Sequence, residues 1–259
     1  MIAEIKGKIS SYGSNLNDRL EDDLTGNVFG SLRYMSFNNG LKQILMQGIY
    51  PRNSAKIIES INEEEWNQFI KFWPYDEEGE LDVLINFKDI IIGIEVKYLS
   101  GLSSEDNVNN NEDVDLNKTN IENNEKSINQ LARESRIISK LSGNKKKMLI
   151  FIADGECSRL VYNDVKARNI VEKDVELAYI SWQSILNGFE NLKADNPYGK
   201  VIISDLKALL IRKGFESFKD FKIEDIVEDS WYDFGIVKNS RISFDIKEDV
   251  QGVLYYEFS

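Results

Sequence analysis

Residues 79–98 read GELDVLINFKDIIIGIEVKY, two strand-like apolar runs joined tightly near Lys88 and Asp89. Both runs carry charge where a buried strand has none: Asp82 in the first, Glu95 beside Lys97 in the second. Side chains alternate along a strand, so Glu80, Asp82, Leu84 and Asn86 share one face. Leu81, Val83, Ile85 and Phe87 take the other, the expected core face. In the second run Gly93, Glu95 and Lys97 oppose Ile92, Ile94, Val96 and Tyr98. Paired as a hairpin, the runs bring Asp82, Glu95 and Lys97 to one side of the sheet, with Gly93 leaving room beside them. Two carboxylates meeting in a half-buried place repel one another unless they are protonated or bridged by a cation. Carboxylates, a backbone carbonyl and waters are the ligand set of Mg²⁺. Lys97 is placed to help deprotonate a water or to steady charge building on a phosphate. The plainer reading, an ordinary Glu95–Lys97 ion pair on a solvated face, stays open at this point.

Composition narrows the chemistry. The chain has no histidine, which removes Ser-His-Asp and Cys-His triads and HExxH zinc sites. Cys157 is the only cysteine, so neither an intramolecular disulfide nor a cysteine zinc cluster is available. With no imidazole to activate it, Cys157 reads as inert. A hard cation held by carboxylates becomes the leading way to activate water. The net charge of −12 argues against a non-specific coat on nucleic acid, though local basic patches decide contact. The longest apolar run, DIIIGIEV, falls short of the roughly 20 residues that span a bilayer. The start, MIAEIKGKIS, lacks the basic-then-apolar pattern of a signal peptide. We expect a cytoplasmic protein that does not engage a membrane.

Along the chain, Leu24, Val28, Leu32 and Met35 recur at helical spacing and predict a helix over 15–35. Residues 54–72 suggest two short helices ending at an acidic, turn-rich loop, WPYDEEGE. Strands follow at about 81–87 and 89–98. From Ser100 to Ser127 there are eight Asn and seven acids with few apolar residues, too little to bury. This segment, 100–127, reads as a mobile insert, either a gate over the site or a neutral surface insertion. A helix at 125–141, strands KMLIFIAD and ELAYISW, and helices near 182–192 and 199–213 come next. Trp182 reads as core. Two runs at the end, RISFDI and GVLYYEF, suggest a hairpin. This is a mixed α/β sheet covered by helices, with a division expected between 1–198 and a helical and β extension at 199–259.

The order of charged residues resembles the PD-(D/E)XK superfamily, the restriction-endonuclease-like nucleases. Asp82 stands at the start of one strand, and IEVK, with Glu95 and Lys97, follows a hairpin later. The Pro usual before the Asp is absent, the chain having ELD. Many members carry a Glu in a helix ahead of the strands. Glu21 lies three and seven residues before Leu24 and Val28 and so points along the apolar stripe, while Asp22 and Asp23 rotate toward solvent. The alternative is that all three are helix-dipole acids. Exonuclease-like branches place a Gln in the helix after the E-x-K strand, and Gln130 in INQLARES occupies that place, although a polar surface helix gives the same letters.

The resemblance covers roughly 16–155 and implies an αβββαβ core, of which two of the three early strands are identifiable. It implies a metal-dependent nuclease, with DNA favoured over RNA as the nucleic-acid partner. Glu21, Asp82, Glu95 and the carbonyl of Val96 would hold one or two Mg²⁺ or Mn²⁺ ions. Lys97 would position or activate water, and Gln130 would orient the site. Arg133, Arg136 and Lys140 with Lys145, Lys146 and Lys147 form a basic strip suited to phosphate, or else a solvated helix-to-strand loop. Bacterial anti-phage defence is the context the superfamily suggests, with a homo-oligomer or partner protein adding contacts. The rival reading is an inactive member kept as a protein- or nucleic-acid-binding module.

Overall fold

The computed structural model describes residues 16–98, 116–194, 196–217, 245–248 and 254–257, with side chains described at 20–98, 129–194 and 196–217. In chain order come helices α1 (Leu16–Leu32) and α2 (Leu41–Gly48), a 3₁₀ turn at Arg52–Ser54, and α3 (Ala55–Glu59). Strands β1 (Ile70–Phe72), β2 (Tyr75–Asp76), β3 (Gly79–Glu80), β4 (Val83–Asn86) and β5 (Ile90–Val96) follow. Then come α4 (Leu116–Ser142), β6 (Lys146–Ala153), α5 (Gly155–Arg168) and β7 (Glu176–Ser181). Helices α6 (Trp182–Asn191) and α7 (Pro197–Arg212) precede the last strands, β8 (Asp245–Glu248) and β9 (Leu254–Glu257).

Strand β5 explains the architecture. Its β-branched run is buried at every position, which is the pattern of a strand covered on both faces. It is the central strand of a mixed sheet ordered β1-β4-β5-β6-β7. The β1, β4 and β5 strands run antiparallel, with Val83 opposite Ile94, and β6 and β7 continue parallel to β5. Helix α4 makes the crossover from β5 to β6 and α5 that from β6 to β7.

Two cores result, one on each face. Leu24, Val28 and Leu32 of α1, Ile44 of α2, Phe189 of α6 and Leu206 of α7 pack in one core with Ile92, Ile94, Ile150 and Ile180. Leu131, Ile137 and Ile138 of α4 join Val161 of α5, Leu84, Ile91, Leu149 and Phe151 in the other. Local caps fix where the later helices start: Asp154 accepts the N–H groups of Glu156 and Cys157 at 3.1 Å each. Asn196 accepts Gly199 N–H at 2.8 Å, with Pro197 opening α7.

Several expectations need correction. The face carrying Asp82, Gly93 and Glu95 is not half solvated, because α4 covers it. The space at Gly93 is therefore taken: a Cβ there would lie 2.4 Å from Ile138 Cδ1. Residues 54–72 hold one short helix and β1 rather than two helices, and WPYDEEGE is the β2–β3 hairpin rather than a loop. Helix α4 begins at Leu116, so the latter part of the expected insert is helical, and residues 100–115 lie outside the described residues. Helices α2 and α5 went unrecognised.

The chain divides into two compact units, Met1–Ser217 and Phe218–Ser259. The expected boundary at 198/199 moves past α7, because Ile203, Leu206 and Leu210 belong to the core of the first unit. In the second unit β8 pairs antiparallel with β9, the hairpin expected there. Among the described residues no helix is long and apolar enough to cross a membrane.

Gly93 yields a packing prediction. Ile138 is fully buried, so its Cδ1 has no empty space to enter. Gly93→Ala is expected to lower stability by about 1–3 kcal/mol in urea denaturation. Adding Ile138→Val, which removes Cδ1, is expected to restore part of that loss. Strictly additive losses would contradict the contact.

Candidate metal centre

The site lies where β5 ends. Parallel pairing with β6 fixes the backbone there, since Lys97 N–H donates to Ile152 O at 2.7 Å. The indole N–H of Trp182, on α6, donates to Lys97 O at 2.9 Å. Trp182 is core, as expected, but it also anchors a site residue. Asp82 precedes β4, and its Oδ2 accepts Val96 N–H at 2.8 Å. The hairpin thus pins Asp82 against the strand that bears Glu95.

Glu21 arrives from α1, on the opposite face of the sheet from α4. Its Oε1 takes Lys97 Nζ at 2.9 Å and its Oε2 accepts Tyr98 N–H at 3.2 Å. Lys97 Nζ also pairs with Glu95 Oε1 at 2.7 Å. One ammonium therefore bridges acids from α1 and β5. Glu21, Asp82 and Glu95 each offer a carboxylate oxygen, and these atoms all lie within 4.8 Å of one another.

Electrostatics follow from burial. Glu95 is fully buried; burial first, and then the charge of Glu134, push its carboxyl well above the usual range. Burial and the charge of Glu95 push Asp82 upward as well. Burial acts to discharge Lys97, but Glu95, Glu21 and Asp82 outweigh it and hold the ammonium well above its ordinary value. Glu95 Oε2 receives no hydrogen bond. A buried oxygen without a donor, in a group of repelling carboxylates, fits a divalent cation with oxygen ligands.

The surrounding pocket has a volume of about 270 Å³. Besides the three acids it is lined by Asp22, Glu78, Glu80 and Glu134, against the two cations Lys97 and Arg133. An anionic ligand entering this pocket needs additional positive charge.

Gln130, expected near the site, lines the pocket, as does Arg133. Val96 takes part through its N–H. The expected basic strip divides, however. Arg136 Nε pairs with Glu78 at 2.5 Å and Lys140 Nζ with Asp76 at 3.3 Å, fastening the β2–β3 hairpin to α4. Lys145 Nζ donates to Asn86 Oδ1 at 2.6 Å and Phe87 O at 2.8 Å, securing the β4–β5 turn. Lys147 pairs with Asp174. Lys146 sits opposite Ile90, whereas Phe151 sits opposite Glu95. Five residues of strand, roughly 17 Å, separate the lysine run from the acids. Those three lysines do not line this pocket.

Two pocket residues were missed. Asp22, expected to face solvent, is 8% exposed and lines the pocket beside Glu21. Glu134 is 1% exposed. Its signal is present in the sequence, because it follows Leu131 by three and precedes Ile138 by four, an acid on an apolar stripe. Burial, with the charge of Asp82, pushes Glu134 up to about 8.

Comparison with protein-family models, with curated proteins and with solved structures finds no match to this chain.

The raised carboxyl gives a pH dependence in chelator. With its ordinary value of 4.5 lifted to about 8, Glu134 holds a proton in the folded chain that the unfolded chain releases. Its stabilising contribution is full below 4.5 and lost as pH rises through 8. The denaturation midpoint of the chelated chain is expected to fall across that window. Glu134→Gln, which does not ionise, is expected to flatten the profile; parallel profiles would contradict this.

Proposed function

We propose that the chain is a metal-dependent nuclease with a restriction-endonuclease-like core, hydrolysing phosphodiester bonds of nucleic acid, DNA in preference to RNA. The observation that carries this reading is the meeting of Glu21, Asp82 and Glu95 within 4.8 Å, with Lys97 alongside. The element order supports it: α1, then β1, β4 and β5 antiparallel, then α4 and parallel β6, follows the αβββαβ sequence of that superfamily. In this reading β1, paired with β4, serves as the third early strand.

In this reading Glu21, Asp82 and Glu95 hold Mg²⁺ or Mn²⁺, with the carbonyl of Val96 as a further oxygen. The cation supplies Lewis acidity, lowering the pKa of water and offsetting phosphate charge. Lys97 presents a cationic donor at the place where negative charge builds, and its backbone, held by Ile152 and Trp182, keeps it there. Gln130 and Arg133 reach the pocket from α4 to orient a phosphate. The net charge of −12 leaves few free cations for a nucleic-acid backbone, so a second copy or a partner supplying them belongs to the proposal. Anti-phage defence belongs to it as context.

A second reading, an inactive binding module, draws on one observation. Lys97 already satisfies Glu21 and Glu95 as an ion pair that needs no metal.

Incubation with DNA and RNA in Mg²⁺, Mn²⁺ or chelator separates the two. Asp82→Asn keeps an acceptor for Val96 N–H while removing a charge, and Lys97→Met keeps much of the side-chain length. Cleavage that requires metal and drops on the order of 10²–10³-fold in each variant is expected. Cleavage that is unchanged in both variants, or absent from the folded wild type with every nucleic acid tried, favours the binding module.

A further inference from the structure

Lys213, just past the end of α7, stands beside the metal centre with no acid to neutralise. Among the described residues no carboxylate lies within ion-pair distance of it. Its Nζ lies instead over the ring of Tyr98, 4.5 Å from the centroid. The N–H of that same Tyr98 donates to Glu21 Oε2 at 3.2 Å. One residue therefore separates this ammonium from an acid of the metal centre. The other nearby amines are committed: Lys97 to Glu21 and Glu95, and Lys140 to Asp76.

The end of α7 is built to hold Lys213 there. The helix closes at Gly214, whose φ of 81° is a left-handed conformation that glycine adopts without strain. Gly214 N–H donates to Ile211 O at 2.9 Å, and Phe215 N–H to Leu210 O at 3.1 Å. This turn sends Phe215 into the core, where its ring stacks on Trp182 with centroids 5.5 Å apart. It also meets Tyr98 edge-on at 5.8 Å. Trp182 in turn holds Lys97 O. The terminus of α7 is thereby fastened to the end of β5. Tyr98 packs with the core on the α1 face of the sheet, whereas Arg133 lines the pocket from α4. Two cations thus approach the acids from opposite faces.

We propose that Lys213 binds a phosphate neighbouring the scissile one, on the side of the acids away from Arg133. The inference rests on the nuclease reading and names its substrate class. The substrate is a polynucleotide strand crossing the end of β5 between α4 and α7, in preference to a small diester. An ammonium held over a ring keeps its charge for an incoming anion, whereas one in an ion pair does not. Lys213 in this way supplies part of the positive charge that the acidic pocket lacks.

The test compares wild type, Lys213→Gln and Lys213→Arg on an oligodeoxynucleotide and on bis(p-nitrophenyl) phosphate, a diester without flanking phosphates, in Mn²⁺. In Lys213→Gln the KM for the oligonucleotide is expected to rise on the order of tenfold, the effect of one lost charged contact. The preference in kcat/KM for oligonucleotide over small diester is expected to fall by the same factor, with kcat on the oligonucleotide held. The salt dependence of log KM is expected to lose about one unit of slope, and Lys213→Arg to recover most of both effects. An unchanged preference in Lys213→Gln overturns the inference and leaves the nuclease reading intact, whether the two activities hold or fall together. A fall together marks Lys213 as a packing residue of the α7 terminus. No hydrolysis of either substrate by wild type overturns the nuclease reading and this inference with it.

Discussion

Glu95 has no access to water, and the site is organised around what neutralises it. The side chain stands on the central strand of a sheet buried on both faces, beneath α4. A carboxylate there is stable only beside positive charge or with a proton. Lys97, two residues on, supplies one charge but is shared with Glu21. Asp82 and Glu134 bring two further carboxyl groups close to Glu95. One ammonium against four acids leaves a surplus that a hard cation would relieve.

The fold creates this surplus by bringing elements from both faces to one end of β5. Helix α1 delivers Glu21 from one side, and α4 delivers Gln130, Arg133 and Glu134 from the other. The β4–β5 hairpin sets Asp82 beside them, and β6 and Trp182 hold the strand end rigid. The ion pairs of Arg136 and Lys140 tie the β2–β3 hairpin to α4, so cations that looked free for phosphate instead shape the pocket wall. Stability at the site and charge for a ligand therefore compete for the same basic residues.

Much of this was legible because period-two alternation and helical spacing are local. Asp82 against Glu95 follows from hairpin pairing, and Glu21 from its register with Leu24 and Val28. What was not legible depended on partners distant in sequence. The face of Asp82 looked only half-buried because nothing local indicates that α4 returns to cover it. Gly93 looked like room for a ligand, whereas Ile138 fills that room. The lysines at 145–147 looked close to Arg133 in sequence, yet β6 begins at the far end of the sheet from Glu95. Asp22 went astray for a related reason: a pocket between α1 and the strands admits two neighbouring residues of one helix.

The most direct test is a crystal grown with Mn²⁺ and measured at a wavelength where manganese scatters anomalously. The account predicts an anomalous peak between the carboxylates of Glu21, Asp82 and Glu95, with Lys97 alongside. A well-occupied peak elsewhere, with those acids bound only to the ammonium, would contradict it.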